Sequence, residues 1–332
     1  MKKILVLRPG ALGDVLATRR LLAFLKMAWP KAALAFSAPG ARGRFLARPG
    51  WADVFFAWER REVAWLFGDD NENPPRALAD FFSGADLALA YFDAAPEADI
   101  HKRLARLAPD AAIIVQPPRP PEESGVAIFD WLLQPALKFA ENTVPPFRLR
   151  EATIHAEEKK ITIPLRRSFA GRSLPDGRYA VIHPGSGSAK KNWRLENFVK
   201  LGGWLQKVKT PENELFFPGV AIVSGEADND LGERLCQALP GSVHWHGLEL
   251  EELAALLAGA ALYVGNDSGV SHLAGSVIGP EGETPVLAIL FGPSVSQIWA
   301  PPGALVFEAG SGMDQLGADA VCGLLGKSLG FS

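Results

Sequence analysis

Three loops of this sequence combine small residues with charged or hydroxyl side chains. They are Pro9–Asp14, His183–Trp193 and Val264–Ala274, and each directly follows a short apolar run. Glycine lets the backbone turn tightly and approach a ligand closely. Parallel strands place such loops at the carboxyl edge of a sheet, where open α/β folds bind their ligands. The three loops are therefore the first candidates for a functional site.

The loop His183–Trp193 has the composition of an anion site. Ser186 and Gly187 expose backbone N–H groups, the serine hydroxyl can donate as well, and Lys191 adds a positive charge. The Gly-Lys-Ser/Thr ending of a Walker A loop is missing, and a solvated turn is the alternative. Glu226 follows a later strand and could accept hydrogen bonds from a ribose or a base, the alternative being an ordinary exposed glutamate.

The loop Val264–Ala274 passes from a predicted strand into a predicted helix. Ser268 and Gly269 begin the helix, whose N-terminus offers free N–H groups and a positive dipole end to a phosphate. Asp267 would repel a phosphate there unless it bonds something else, such as sugar hydroxyls. His272 lies one turn later on the same face as Ser268, as a support for the site or as a structural histidine. The C-terminal half is thus predicted to carry a nucleotide-diphosphate site.

The loop Pro9–Asp14 contains Gly13 and then Asp14, which falls at the start of a predicted helix. Asp14 either points into a binding cleft or only caps the helix, a position that Asp favours. A dinucleotide-binding site is the other reading of a glycine loop after a first strand. The Gly-x-Gly-x-x-Gly fingerprint is absent, however, and the second strand ends in Ser37 rather than in an acid. The dinucleotide interpretation therefore fails.

The N-terminal half alternates short apolar runs with helical patterns, as in a parallel sheet covered on both faces. The predicted strands are Ile4–Leu7, Ala33–Ser37, Val54–Trp58, Asp86–Phe92 and Ala111–Gln116. The predicted helices are Asp14–Trp29, Arg76–Phe82, Glu97–Leu107 and Val126–Phe139. Residues 145–178 are rich in Pro, Arg and Lys without a clean period, which predicts an interdomain connection.

The same alternation restarts after residue 178. The predicted strands are Tyr179–His183, Val220–Ser224, Val243–Trp245, Ala261–Gly265, Val286–Phe291 and Leu305–Glu308. The predicted helices are Leu195–Lys207, Leu231–Leu239, Glu251–Leu257, Ser268–Val277 and Gln315–Leu325. The chain is therefore expected to form two doubly wound α/β domains with a ligand site in the cleft between them.

The bulk composition excludes several classes of protein. A length of 332 residues exceeds what one core usually fills, and a net charge of −3 argues against nucleic-acid binding. Cys236 and Cys322 are too few for a disulfide framework or a thiolate metal site, which favours a reducing compartment. The apolar run Ile4–Leu7 is too short for a secretory signal, and no stretch reaches the roughly 20 apolar residues of a membrane span. We expect a soluble, cytoplasmic protein.

Five motifs in this order resemble glycosyltransferase family 9, the ADP-heptose:lipopolysaccharide heptosyltransferases and their relatives. The matching segments are Gly13–Val15, His183–Ser186 with Lys191 and Trp193, Ser224–Glu226, Gly265–Gly269 with His272–Ala274, and Leu290–Ser294 with Trp299. Each motif is modest by itself. Together they span roughly residues 3–303, which makes the resemblance specific.

The resemblance implies a GT-B fold, with two Rossmann-like doubly wound domains facing a central cleft. Residues 1–160 would bind the acceptor and residues 161–332 the nucleotide-sugar donor, with the last helix able to pack back on the N-terminal domain. It implies an inverting, metal-independent transfer of heptose from ADP-heptose onto a lipopolysaccharide-core or related glycan or glycolipid acceptor. No cofactor would be needed beyond the nucleotide-sugar co-substrate. Such a cytoplasmic enzyme could contact the inner membrane peripherally.

The resemblance also implies roles for the candidate residues, carried over by position. Asp14 would be the general base, Glu226 would contact the nucleoside, and Asp267 would contact the transferred sugar. The donor diphosphate would be bound by Ser186, Gly187, Lys191, Ser268 and Gly269, with Gly13, His183 and His272 in support and no metal ligand. A base on one face of the sugar and charge stabilisation of the departing diphosphate on the other suit an oxocarbenium-like transition state.

The acceptor side departs from the family pattern. Family members often have a proline where Arg20 stands, and Leu87–Asp93 is the nearest match to a Leu-Asp-x-Gln strand end. Arg19 and Arg20 either meet an anionic acceptor or are simply solvated. The alternatives are therefore a non-catalytic or divergent sugar-nucleotide-binding protein of the same fold, and a transferase with a different donor and acceptor. A GT-B-type epimerase would need further acids and bases that the sequence does not show.

Overall fold

The computed structural model describes residues 1–68, 73–92, 97–164, 168–169, 172–174, 177–310 and 312–330. The chain divides into two compact units, Met1–Lys159 and Lys160–Ser332. The sequence placed the domain boundary one residue later, after residue 160. Each unit contains its own parallel sheet and its own hydrophobic core.

The first unit contains a five-stranded parallel sheet with the order β3-β2-β1-β4-β5. Its strands are β1 (Lys3–Leu7), β2 (Ala33–Ala38), β3 (Val54–Ala57), β4 (Leu87–Tyr91) and β5 (Ala112–Gln116). The central strand β1 is buried from Ile4 to Leu7, because helices cover both faces of the sheet. The predicted strands are thus present. Asp93, at the end of the divergent Leu87–Asp93 segment, lies outside the described residues.

The helices of the first unit cover this sheet. They are α1 (Leu12–Ala17), α2 (Arg19–Ala28), α3 (Gly40–Leu46), α4 (Arg76–Phe82), α5 (Glu97–Leu107), α6 (Ile128–Ala140) and α7 (Pro146–Glu158), with 3₁₀ turns at Arg61–Phe67 and Glu122–Ser124. The single predicted helix Asp14–Trp29 was wrong, because α1 and α2 are separate helices that meet at Thr18. The Thr18 hydroxyl donates to the Asp14 carbonyl at 3.2 Å. Hydroxyl bonds of this kind to the preceding turn often bend a helix.

The predicted interdomain connection 145–178 also contains a helix that the sequence reading missed. Helix α7 has thirteen residues and packs against α2. Its buried residues are Ala152 and Ala156, four apart, so the contact is made by methyl groups rather than by large apolar side chains. A stripe of two alanines among Arg, Glu and His gives little of the apolar periodicity on which helix prediction depends.

The second unit contains a six-stranded parallel sheet and two small two-stranded pairings. The strands in chain order are β6 (Ile161–Thr162), β7 (Ser168–Phe169), β8 (Arg172–Ser173), β9 (Tyr179–His183), β10 (Gly219–Ser224), β11 (Val243–His246), β12 (Leu262–Asn266), β13 (Val277–Ile278), β14 (Val286–Phe291) and β15 (Leu305–Glu308). The large sheet has the order β11-β10-β9-β12-β14-β15. β6 pairs with β13 in parallel, and β7 pairs with β8 antiparallel.

The helices of the second unit complete its core. They are α8 (Leu195–Leu205), α9 (Asn229–Ala238), α10 (Leu250–Ala258), α11 (Gly269–Ser276), α12 (Ser296–Trp299) and α13 (Ala318–Ser328), with 3₁₀ turns at Ala189–Lys191, Glu226–Asp228 and Met313–Gln315. The last helix, α13, packs against α8, and its Val321 and Leu325 are buried in the core of its own unit. Within the described ranges, no helix is both long enough and apolar enough to cross a membrane.

Candidate functional site

Four strand ends of the second unit lie side by side. β11, β10, β9 and β12 are parallel neighbours, so their carboxyl ends share one edge of the sheet. His183 ends β9, Ser224 ends β10, and Asn266 ends β12. All three side chains are buried. The two predicted loops of this unit, after β9 and β12, and the turn after β10 therefore emerge next to one another at the edge where doubly wound sheets bind ligands.

The imidazole of His183 connects three of these strand ends. Its Nε2 lies 2.8 Å from Oδ2 of Asp228, in the turn after β10, and its Nδ1 lies 3.3 Å from Oγ of Ser268, after β12. The residue is 5% exposed, so each ring nitrogen requires a partner. His183 was predicted as a supporting residue. The structure brings it together with Ser268, and its partner Asp228 was not predicted.

Asp228 holds the turn after β10 against the loop after β9. Its Oδ1 accepts a hydrogen bond from the Gly225 N–H at 2.7 Å, while Oδ2 bonds His183. Burial opposes ionisation of Asp228, but the His183 bond and charge and the backbone N–H groups together lower the pKa of this carboxyl. Gly185 passes directly over the carboxylate, since a Cβ built there would lie 1.7 Å from Asp228 Oδ2. The glycine of the predicted anion loop is required by this contact.

Asn266 fixes the distance between the two predicted diphosphate loops. Its Nδ2 donates to the Pro184 carbonyl at 2.8 Å, and its Oδ1 accepts from the Trp193 N–H at 3.0 Å. The residue is fully buried, so these bonds form in a medium where they are strong. The Trp193 indole in turn donates to the Leu316 carbonyl at 2.7 Å. Asn266 therefore clamps both ends of the loop 184–193 to the end of β12.

Lys191 and Asp267, predicted to bind diphosphate and sugar, form an ion pair with each other. Nζ of Lys191 lies 2.6 Å from Oδ2 of Asp267. The Asp267 side chain is 8% exposed and that of Lys191 34%, so the pair lies at the surface of the site. The lysine charge is thus held next to the N-terminus of α11. It lies beside the Asp267 carboxylate, which alone would repel a phosphate there.

Helix α11 begins at the centre of this group with two N–H groups available. Ser268 is its N-cap: the hydroxyl accepts from the Ser271 N–H at 3.4 Å, and the carbonyl accepts from the His272 N–H at 3.2 Å. No described group accepts from the N–H groups of Gly269 and Val270 in the first turn. Helix N-termini in this state suit phosphate oxygens. The Ser268 hydroxyl was predicted to contact the diphosphate; the contact that the structure shows for it is the cap of the helix.

The remaining predicted donor residues lie around this edge. The Ser186 hydroxyl is within hydrogen-bond distance of the Ser188 carbonyl and of Asn192 Oδ1, at 2.7 and 2.6 Å, and Gly187 is exposed. Glu226 is exposed in the 3₁₀ turn directly after Gly225. His272 is buried within α11, and its ring packs edge-on against Trp299 with a centroid distance of 6.5 Å. This His–Trp contact joins two of the motifs that the sequence singled out.

The candidate base Asp14 lies in the first unit, and local contacts determine its position. It is the third residue of α1, not the N-cap, and its Oδ2 accepts from the Ala11 N–H at 3.0 Å. Its Oδ1 pairs with Nη2 of the buried Arg8 at 3.0 Å, while the Asp14 side chain is 30% exposed. Gly10 adopts a φ of +144°, and a Cβ there would lie 2.7 Å from that of Asp14. Arg8 was not predicted, although it stands directly before the loop.

Across the described residues, no group of three or more His, Cys, Asp and Glu side chains is arranged to hold a metal ion. The second unit presents strand-end loops with available helix N–H groups and a lysine charge, and the first unit presents an oriented carboxylate. The family model for glycosyltransferase family 9 (heptosyltransferase) matches residues 123–314. The chain belongs to glycosyltransferase family 9. No curated protein sequence matches this family 9 protein.

Solved structures of similar fold cover nearly the whole chain. The glycosyl transferase family 9 from Veillonella parvula DSM 2008 is 14% identical, with 99% of this chain and 97% of that chain covered and a TM-score of 0.69. The E. coli heptosyltransferase WaaC with ADP is 17% identical, with 98% and 99% covered and a TM-score of 0.65. The E. coli ADP-heptose lps heptosyltransferase II is 18% identical, with 99% and 98% covered and a TM-score of 0.65.

At these identities the likeness establishes the fold. The family 9 protein is of GT-B type, with two Rossmann-like doubly wound units, as the sequence predicted. Family membership and fold together make it a glycosyltransferase of the heptosyltransferase-like kind. The sequence-based recognition of family 9 is confirmed.

Proposed function

We propose that this protein transfers heptose from ADP-heptose to a lipopolysaccharide-core or related glycan acceptor, with inversion at the anomeric carbon. The observation that carries the proposal is the buried polar network around the N-terminus of α11. His183, Asp228, Ser268 and Asn266 lock three strand-end loops together there. Burying polar groups costs free energy unless every group is bonded, and a fully bonded network is rigid. Such a network suits a site that must hold a charged leaving group in fixed geometry.

The donor half of the reaction is assigned to the second unit. The free N–H groups of Gly269 and Val270, with Ser186 and Gly187 in the neighbouring loop, would bind the diphosphate oxygens. Lys191 would bond both Asp267 and the diphosphate, since its Nζ has three hydrogen-bond donors and its side chain is one-third exposed. Asp267 would then face the sugar hydroxyls.

Glu226 is proposed as the ligand of the nucleoside. Its turn follows β10 directly, next to the end of β9 that begins the diphosphate loop. An exposed carboxylate can accept two hydrogen bonds from adjacent ribose hydroxyls. The similar structures from E. coli are a heptosyltransferase with ADP and an ADP-heptose lps heptosyltransferase, which supports an ADP-sugar as the donor of this chain.

The acceptor half of the reaction is assigned to Asp14. Its carboxylate would take the proton from an acceptor hydroxyl as that oxygen attacks the anomeric carbon, while the bond from this carbon to the diphosphate breaks. Arg8 and the Ala11 N–H each bond one carboxylate oxygen, so the group is oriented but still partly exposed. The negative charge leaves with ADP, and the cations and N–H groups of the second unit stabilise it. No metal ion is needed in this scheme.

The test is a donor and acceptor panel with the full chain. ADP-heptose, ADP-glucose and UDP-N-acetylglucosamine are supplied with and without a lipopolysaccharide-core acceptor, in the presence of EDTA, and nucleoside diphosphate release is followed. We expect release with ADP-heptose and acceptor, and a product of inverted anomeric configuration by NMR. Failure to bind every sugar nucleotide would contradict the donor site.

Other outcomes of the same panel point to the alternatives. Binding of ADP-heptose without release under any acceptor would indicate a non-catalytic sugar-nucleotide-binding protein. Release with another nucleotide sugar would indicate a transferase of different specificity. Binding to lipid vesicles of inner-membrane composition, measured by co-sedimentation, tests the proposed peripheral contact with the membrane.

A further inference from the structure

A buried arginine in the first unit has no counter-charge. Arg19 is the first residue of α2 and is 3% exposed. Its Nε and Nη1 atoms are enclosed, and no group in the described part of the chain accepts a hydrogen bond from them. Nη2 is not enclosed in this way. Buried guanidinium groups are normally paired, because a buried charge without a partner is costly.

The carboxylates of α1 and of the residues that contact Arg20 are bonded by other groups. Asp14 is held by Arg8 and the Ala11 N–H, and Asp130 pairs with Nη1 of Arg20 at 2.6 Å. Glu157 lies 3.7 Å from the second Arg20 nitrogen. The adjacent arginine is thus neutralised twice, while Arg19 is not neutralised at all within the described residues. Burial first, and then the charge of Arg20, lower the pKa of Arg19 to about 10, so it remains a cation at neutral pH.

The chemistry that fits this group is an oxyanion. A guanidinium presents its N–H groups in a planar fork that matches phosphate and carboxylate oxygens. Arg19 also stands in the first turn of the ten-residue helix α2, where the helix dipole favours negative charge. We propose that Arg19 forms an oxyanion-binding site in the first unit, for the phosphate or carboxylate group of a ligand. The site is distinct from the diphosphate loops of the second unit and does not depend on the transfer reaction.

The experiment measures the melting temperature of the full chain with inorganic phosphate, against potassium chloride of equal ionic strength. Phosphate should raise the melting temperature of the wild type. Arg19→Met should lose this response in large part, and its melting temperature without phosphate should be about 2–4 °C above that of the wild type, because an unpaired buried charge is removed. Arg20→Met is the matched control and should keep the phosphate response.

Phosphate can also bind at the diphosphate loops, so Lys191→Met is measured in parallel. The responses lost in Arg19→Met and in Lys191→Met should add in the double variant, as expected for independent sites. A phosphate response in Arg19→Met equal to that of the wild type would overturn the proposal, whatever happens at Lys191. A lost response in Arg19→Met with no binding of any sugar nucleotide would leave the oxyanion site standing and contradict the proposed function alone.

A conservative variant covers the case in which Arg19→Met does not fold. Arg19→Lys keeps the charge but not the planar fork, and calorimetry should show phosphate binding about 10-fold weaker than in the wild type. Unchanged affinity in Arg19→Lys would contradict the proposal. Glucose 6-phosphate and glucuronate, compared with glucose, then identify the source: tighter binding than inorganic phosphate assigns the site to a charged sugar, and equal binding assigns it to the free anion.

Discussion

The two candidate sites of this protein are built in different ways. In the second unit, His183, Asp228, Ser268 and Asn266 are buried and bond across three strand ends. In the first unit, Asp14 is held by Arg8 and Ala11, six and three residues away in the chain. The loops of the second unit thus depend on contacts that form only when the sheet has folded. The position of Asp14 depends on one short stretch of sequence.

Because of this difference, substitutions at the two sites should affect the stability of the fold and the chemistry to different degrees. A change in the buried network of the second unit leaves polar groups without partners, and therefore costs both stability and ligand binding. A change at Asp14, which is partly exposed, removes one carboxylate from a local turn. We expect variants of the two sites to differ in which property they lose.

The largest effect is expected for Asp14→Asn. Asparagine keeps the shape of the side chain and can still accept from the Ala11 N–H, but it cannot take a proton. kcat should fall by about 10²–10⁴-fold, the usual contribution of a general base. ADP affinity, measured by calorimetry, should be unchanged. Turnover of Asp14→Asn at the wild-type rate would contradict Asp14 as the general base, and with it the catalytic role of the first unit in this comparison.

Lys191→Met should weaken ADP binding by about 10–100-fold, the range expected for a hydrogen bond to a charged group. The variant also leaves Asp267 without its cation, which places a nearly buried negative charge beside the diphosphate. Lys190→Met is the control, because that neighbouring lysine is exposed. Equal loss of ADP affinity in both variants would mean that only the overall charge of the loop matters.

Gly185→Ala should reduce both stability and ADP binding. The new methyl group would meet Asp228 Oδ2 at 1.7 Å, so the His183–Asp228 bond must break or the loop must move. Such overpacking typically costs about 1–3 kcal/mol of unfolding free energy, measurable by urea denaturation. Gly187→Ala is the matched control two residues later, since a Cβ there has no atom within 4 Å. Equal stability of the two variants would contradict the close packing of this loop.

The smallest effect concerns pH and Asp228. Its pKa in the folded protein lies below the ordinary value of 3.8, so the ionised form stabilises the fold. This contribution is present above about pH 4 and is lost as the pH falls through the lowered folded value. Between pH 6 and pH 3 the wild type should lose more unfolding free energy than Asp228→Asn. Parallel pH profiles of the two proteins, from urea denaturation at each pH, would rule out this contribution.

The sequence predicted the elements that have strong apolar periodicity. Every strand of the two large sheets was found within a residue or two, because buried parallel strands are short continuous apolar runs. Helix α7 was missed because its buried face is Ala152 and Ala156. The break at Thr18 was missed because the apolar pattern continues through it, and only a side-chain bond marks the change.

The predicted site residues of the second unit follow strands that turned out to be neighbours, so His183, Lys191, Asp267 and Ser268 lie together. Asp228 was not predicted, because its partner His183 is 45 residues away and no local sequence pattern indicates the bond between them. Asn266 belongs to one of the family motifs, but its role does not follow from the sequence, because its bond to the Pro184 carbonyl appears only in three dimensions. Arg8 could have been suspected because it is a charged residue directly after the apolar strand β1.

The carboxylate of Asp14 also accepts a hydrogen bond from the backbone N–H of Ala11, the N-cap residue of α1. If it accepts a proton during transfer, its bonds to Arg8 and to the Ala11 N–H both weaken for as long as the proton stays. α1 has only six residues, too few to be stable by its own backbone bonds. Each turnover would therefore loosen one turn of backbone for a moment. Amide hydrogen exchange at Ala11 should then be faster during catalysis than at rest, which makes this amide a local reporter of proton transfer.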